Sequence, residues 1–413
     1  LKYLIMIIGC ASWLFGAVDA EFTMSKSIGN KEKLTIIDCS NITNSSKKDK
    51  VFKIFKSDFS LSGSFVPDTT YRIGDFDSKV VPAEFKNKPY LFKYLLIDQS
   101  NGVELKVLLQ KSTNGEILFS KNYALGSSNQ YPFLIHRSIS DINKAMDRDN
   151  LSWMNKFVIL SKVSSSGKSQ IILSDYTMTY NKIIMSGGLN IFPKWANSNQ
   201  DKFYYTDMNG DVPSLYLVDM NSGKKTFIIK SDGMLVCSDV NKNGQKILLT
   251  MAPYGQPDVY ELTVATNEIR KITDYSGIDV SARYGANDNE IIFVSNRSGK
   301  ANIYKKSFTS PSVILATNHG SYNNTFDYNN NKMVFSSRES QGAFNIYLQS
   351  AKSNKPVPLT SSGDNQYPKF LFNSNVVSYV KQQGNSSKIG YINTNNFQGE
   401  LFDFNGKIQS LDW

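Results

Sequence analysis

Five tyrosines, Tyr216, Tyr260, Tyr304, Tyr347 and Tyr391, recur at spacings of 44, 44, 43 and 44 residues, and Ile172 stands 44 residues before the first. Each of the six positions centres a short strand: Ile171-Ile172-Leu173, Leu215-Tyr216-Leu217, Val259-Tyr260-Glu261, Ile303-Tyr304-Lys305, Ile346-Tyr347-Leu348 and Gly390-Tyr391-Ile392. About a dozen residues earlier another strand shows period-2 alternation, with Tyr205, Leu249, Phe293, Phe335 and Tyr379 in corresponding places. A further apolar run follows the tyrosine strand, as in Phe227-Ile228-Ile229, Ile269 to Thr273 and Val313-Ile314-Leu315. A glycine closes every unit: Gly188, Gly233, Gly277, Gly320, Gly363 and Gly406.

A unit of about 40–45 residues with four short strands cannot bury both faces of its sheet alone. Radial packing of such sheets around a channel buries them and leaves only short, protected edges. The repeat therefore predicts an all-β six-bladed β-propeller over residues 149–413. Turns rich in residues that tolerate positive φ, such as Asn209-Gly210, Asn221-Ser222-Gly223, Asn243-Gly244 and Ser298-Gly299, fit the strand connections. After Gly406 the chain runs through Ile408-Gln409-Ser410-Leu411-Asp412-Trp413, which matches the unit start Asn190-Ile191-Phe192-Pro193-Lys194-Trp195. The first unit, beginning near Leu151, has three strands of its own, so the C-terminal segment is expected to become its innermost strand and close the ring.

Residues 21–148 lack the repeat and read as a small α+β domain. Leu34 to Asp38 predicts a strand, and Asp49 to Ser60 a helix with Val51, Phe52 and Phe55 on one face. Gly102 to Lys111 and Glu116 to Tyr123 predict a hairpin turning through Asn114-Gly115. Ile135, Ile139, Ile142 and Met146 step by 4, 3 and 4 along a second helix near Pro132 to Met146. His136 lies on that helix and is read as a packing residue.

Residues 1–20 read as a cleavable export signal: Lys2, an apolar run from Tyr3 to Phe15, and small residues around Val18-Asp19-Ala20, with Glu21 as the mature start. Ile7-Ile8-Gly9-Cys10 has the look of a lipoprotein box but comes too early for a full-length leader. The apolar stretch is shorter than the ~20 residues of a spanning helix. The net charge of +10 is spread over turns and strand edges with no basic run of interleaved aromatics. It reads as a solvated surface rather than a nucleic-acid footprint. Cys39 and Cys237 remain after cleavage, fall in different domains, and read as buried small hydrophobes.

Catalytic motifs are missing. There is no Gly-x-Ser-x-Gly elbow, and His136 and His319 are the two histidines. No His/Cys cluster has zinc spacing. Gly167-Lys168-Ser169 resembles the end of a phosphate loop, but Lys162 stands where its first glycine belongs, so a hairpin turn is expected. Asn287-Asp288-Asn289 lacks the glycine and terminal glutamate of a calcium loop. No enzyme activity, cofactor or metal is expected.

Domain order, the segments Phe192-Pro193-Lys194-Trp195 and Phe293-Val294-Ser295-Asn296-Arg297-Ser298-Gly299-Lys300-Ala301-Asn302-Ile303-Tyr304, and the C-terminal strand ending in an aromatic together resemble the TolB family of the Tol–Pal envelope system. The Ser-Pro-Asp-Gly turns usual in that family are replaced by Asn197-Ser198-Asn199-Gln200, Asn241-Lys242-Asn243-Gly244 and Asn329-Asn330-Asn331. The resemblance implies a monomeric periplasmic adaptor that supports outer-membrane integrity and cell division. It implies binding of the peptidoglycan-associated lipoprotein (Pal) at one mouth of the propeller, and of TolA through the N-terminal segment Glu21, Phe22, Thr23 and Met24. Other outer-membrane proteins and colicins are further implied partners; nucleic acid is not. The mouth residues implied lie in the loops at the repeat glycines: Leu189, Asn190, Met234, Leu235, Cys237, Ser276, Val280, Asn324, Thr325, Gln366 and Tyr367. The alternative is an exported propeller enzyme or glycan-binding lectin using the central channel, which would need an acidic pair or metal site there.

Overall fold

The computed structural model describes residues 31–413 except positions 79, 340, 351, 352, 354 and 373. The export signal, the Cys10 box and the Glu21–Met24 segment lie outside the described residues. The first domain contains β1 (Glu32–Asp38), α1 (Ser45–Leu61), β2 (Phe65–Pro67), β3 (Tyr90–Gln99), β4 (Gly102–Lys111), β5 (Ile117–Leu125) and α2 (Tyr131–Ala145). Its sheet runs in the order β2-β1-β3-β4-β5, with β1 parallel to both its neighbours and the β3-β4-β5 meander antiparallel. Helix α1 starts a turn before Asp49 because the Asn44 side chain accepts a hydrogen bond from the Lys47 amide at 3.0 Å, an N-cap. The central strand β3 was not anticipated. Its core run, Leu91 to Tyr94, is buried without a break, so it shows no alternation to read. Phe55 and Phe59 of α1 pack on Phe92 and Tyr94 of β3, fixing the helix over the sheet.

Six four-stranded antiparallel sheets follow. Blades 2 to 6 run from innermost to outermost strand in chain order. Blade 2 is Asn190–Trp195, Lys202–Asp207, Ser214–Asp219 and Lys225–Lys230. Blade 3 is Leu235–Val240, Lys246–Met251, Asp258–Thr263 and Glu268–Lys271. Blade 4 is Asp279–Tyr284, Glu290–Ser295, Asn302–Ser307 and Val313–Leu315. Blade 5 is Tyr322–Asn329, Lys332–Arg338, Asn345–Ser350 and Val357–Pro358. Blade 6 is Asp364–Phe370, Val376–Gln383, Ser386–Asn393 and Gly399–Phe404. Blade 1 takes Val158–Ser165, Lys168–Ser174 and Asn181–Met185 from the start of the repeat, and Ile408–Asp412 as its innermost strand. Leu411 faces Leu160 and Asp412 faces Ile159 in that pairing. The ring is closed as expected, and Gly167 turns the first hairpin of blade 1.

Alternation along the strands builds the seams between blades. Tyr205 joins Ile159, Ile171 and Leu173 between blades 1 and 2, while Tyr204, its neighbour in sequence, joins Leu249 and Met251 between blades 2 and 3. Similar clusters fill the next three seams. The sixth, between blades 6 and 1, merges Val376, Tyr391, Ile408 and Leu160 with the helices of the α/β domain into one core. The front domain is therefore seated on the joint that closes the ring.

The repeat glycines have a common steric cause. A Cβ on Gly188 would stand 1.8 Å from Asn209 Oδ1, and one on Gly320 2.1 Å from Ser337 Oγ. In each blade the incoming connection is pressed against the end of the same sheet's next strand. No helix among the described residues is long and apolar enough to cross a membrane.

Candidate partner-binding mouth and channel

The connection entering each blade and the one between its second and third strands fall on the same face, because two strands separate them. They are stitched together there. The Met208 amide donates to Leu189 O at 2.9 Å, Ala252 to Met234 O at 2.9 Å, and Asn296 to Ile278 O at 3.2 Å. The Asn296 side chain accepts from the Ile278 amide at 2.8 Å. These short, bonded loops expose apolar side chains over blades 2 to 4: Met208 (38%), Met234 and Ile278 (45% each), and Tyr254 (95%). Over blades 5 and 6 the rim is polar. Asn324 Nδ2 donates to Gln366 Oε1 at 3.3 Å, and the Tyr367 amide donates to Thr325 Oγ1 at 3.2 Å.

The candidate residues divide by burial. Met234, Ser276 and Tyr367 are exposed, while Leu189, Val280, Asn324, Thr325 and Gln366 are half-buried. Asn190, Leu235 and Cys237 are buried. Asn190 ties its own loop, donating from Nδ2 to Gly187 O at 2.9 Å. Leu235 and Cys237 belong to the seam between blades 2 and 3, and burial pushes the Cys237 thiol up. Met208, Tyr254 and Ile278 were missed. Counting strands would have placed the Met208 and Tyr254 loops on the same face as the repeat glycines.

Deeper in the channel, six charged side chains form a ring, one per innermost strand: Asp412, Lys194, Asp239, Arg283, Asp327 and Lys369. Their signs alternate. Lys194 Nζ lies 3.2 Å from Asp412 and 3.4 Å from Asp239; Arg283 lies 3.3 Å from Asp239 and 3.4 Å from Asp327. Lys369 pairs with Asp412 and is also attracted by Asp327. Each aspartate accepts a second bond from the next blade, from the amide just after that blade's cation: Trp195 to Asp412 (2.9 Å), Tyr284 to Asp239 (3.0 Å) and Phe370 to Asp327 (2.9 Å). Three carboxylate blades thus grip three cation blades in a pseudo-threefold pattern.

Backbone geometry follows the same pattern. Every innermost strand carries a register shift upstream of its ring residue, re-aiming the side chains that follow. In the cation blades a non-glycine residue two positions earlier has φ of +55° (Phe192), +56° (Ser281) or +54° (Tyr367), in the left-handed region. Burial opposes ionisation of Asp412, but Lys194 and Lys369 outweigh it and hold its carboxyl below the usual range. Burial, followed by repulsion from Arg283, pulls the Lys369 ammonium down. Each channel carboxylate of this ring is already neutralised by cations. No group of three or more His, Cys, Asp or Glu side chains that could hold a metal exists among the described residues.

Residues 154–413, the whole propeller, match the family model of the TolB beta propeller domain. The chain belongs to the TolB family. It is 37% identical over 385 residues to the Tol-Pal system protein TolB of Campylobacter jejuni, covering 92% of each chain. It is 35% identical over 410 residues to that of Wolinella succinogenes, covering 96% of each. A crystal structure of TolB from Acinetobacter baumannii aligns with a TM-score of 0.74 over 93% of this chain and 96% of that one; at 19% identity it supports the fold. Membership of the TolB family makes the chain a component of the Tol–Pal system.

Proposed function

We propose that the chain is a periplasmic, non-enzymatic adaptor, exported by residues 1–20 and supporting outer-membrane integrity and cell division. In this reading residues 21–148 form the front domain and 149–413 the propeller. Pal binds at the mouth and TolA binds the Glu21–Met24 segment. The observation that carries the mouth reading is the apolar arc of Met208, Met234, Tyr254 and Ile278 on loops bonded to a rigid ring. Exposed tyrosine and methionine on one face of the ring have the chemistry of interface anchors, and the bonded loops hold them at a reduced ordering cost. The polar half, with Asn324, Thr325, Gln366 and Tyr367, supplies directional bonds. The paired state of the channel carboxylates disfavours the enzyme or lectin alternative, which needs a free acidic pair.

The test is a pulldown of Pal from envelope extract by the full mature chain, beside a variant carrying Met234→Asp and Ile278→Asp. Recovery of Pal by the parent and its loss in the folded variant supports the reading. Equal recovery by both moves the Pal site elsewhere; recovery by neither removes Pal as the mouth partner.

A further inference from the structure

His136 was read as a packing residue, and it is fully buried; yet its surroundings are ionic. Its Nδ1 lies 2.8 Å from Asp58 Oδ2 of α1, in its own domain, and its Nε2 lies 3.2 Å from Asp175 Oδ2, in blade 1. Both carboxylates have 0% exposure. Asp175 is further held by the amides of Thr177 (2.8 Å) and Tyr180 (2.5 Å). Asp58 accepts from the Tyr176 hydroxyl of blade 1. When both carboxyls are ionised they only accept, so an imidazole bonded to one through each nitrogen donates from both and is an imidazolium.

We propose that the Asp58–His136–Asp175 cluster is a proton-held clasp between the two domains: docking the α/β domain on the propeller takes up a proton, so the domains grip more tightly as pH falls and loosen as it rises.

The remaining titratable groups around the clasp do not supply a competing cation. They are Tyr176 of blade 1, Tyr391 and Glu400 of blade 6, and Tyr131 of α2 itself. Tyr391 donates to Tyr176 O at 2.7 Å, and Glu400 accepts from Ser57 of α1 at 3.4 Å. Burial raises Tyr176 and Tyr391 far above the usual tyrosine range and Tyr131 to about 12, so all three stay neutral. Burial opposes the charge on His136, but Asp58 and then Asp175 outweigh it and raise the imidazole from 6.5 to about 9. A raised value in the docked state stabilises docking fully below the free value and loses that stabilisation as pH climbs through the docked one. Asp58 is also raised, first by its burial, so its own proton linkage has the same sign at acid pH.

Asp58 stays beside His136 in the undocked α/β domain, so only the part of the raise that docking on blade 1 supplies is linked to docking. A full shift from 6.5 to about 9 sets the upper bound, about sevenfold weaker docking from pH 7 to 8 and about fivefold from 8 to 9. Two measurements on the full mature chain test this. Histidine-selective ¹⁵N labelling gives two imidazoles, His136 and His319, assigned with His136→Gln. The His136 ring is expected to carry protons on both nitrogens at pH 7.5 and to lose one near pH 9; a neutral ring at pH 7.5 overturns the clasp. Hydrogen exchange of α1, α2 and the 175–180 connection, corrected for intrinsic rate, should then rise with pH, by no more than those factors, while the seam between blades 3 and 4 stays unchanged. A charged ring with no such rise also overturns the proposal, because the proton would then not be coupled to docking. If His136→Gln folds, its pH slope should be flat.

Discussion

Replacing Asp412 by alanine tests whether the charge ring holds the propeller shut. Asp412 sits on the closing strand, pairs with Lys194 of blade 2 and Lys369 of blade 6, and accepts the Trp195 amide at 2.9 Å. Its removal leaves three buried cations, Lys194, Lys369 and Arg283, to share the two carboxylates of Asp239 and Asp327, and leaves an amide without its acceptor. Breaking one partner out of a buried pair costs roughly 3–5 kcal/mol, and a lost acceptor for a buried amide about 1–3 kcal/mol. Lys369, already pulled down, relieves part of this by shedding its proton, so the expected loss is about 4 kcal/mol. At about 2 °C per kcal/mol for a domain this size, Tm should fall by roughly 8 °C in calorimetry. Asp412→Asn, which keeps an acceptor for Trp195, should lose about half as much. Adding Lys369→Met to Asp412→Ala should recover part of the deficit, because the ring is again neutral and Lys194, Asp239, Arg283 and Asp327 still alternate in sign. A Tm within a degree of the parent for Asp412→Ala, or a double variant worse than the single, would refute this account of the ring.

Truncation before Ile408 removes that aspartate together with the whole innermost strand of blade 1 and the buried Ile408, so its Tm should fall further than that of Asp412→Ala. Gly188→Ala combines φ of +77° with a Cβ placed 1.8 Å from Asn209 Oδ1, and should cost about 2–3 kcal/mol. Gly187→Ala, with φ of +85° but nothing within 4 Å, should cost only about 1 kcal/mol in the same denaturant titration, the difference reporting the close approach. Burial raises the Cys39 thiol to about 11 and Cys237 further, so at pH 8 a thiol reagent should label both slowly in the folded chain and at once in denaturant.

The propeller was legible because its physics is periodic. One seam residue, one turn and one closely packed glycine recur each time the chain completes a blade, and the unpaired unit start at Ile408 had a single vacant place to go. The charge ring has the same period, since Lys194, Asp239, Arg283, Asp327, Lys369 and Asp412 are spaced by 45, 44, 44, 42 and 43 residues. Its sign changes at every step, so a search for recurring residue types passes over it. Tyr254 escaped because loop sequences differ from blade to blade even where their position is fixed. In the front domain β3 carries an uninterrupted buried run at its core, and α1 begins on a cap rather than on an apolar residue. The clasp could not be read at all: positions 58, 136 and 175 come from two helices and a blade connection, brought together by the packing of α1 on α2 and by domain docking.

The most direct test of the adaptor reading is calorimetric titration of the full mature chain with the purified periplasmic part of Pal, beside Tyr254→Asp. Tyr254 is 95% exposed, so the substitution should leave Tm unchanged. The account predicts binding to the parent and a loss of at least about tenfold in affinity in the variant, the effect of a tyrosine anchor at an interface. Equal affinity for both proteins, or no binding by the parent, would contradict it.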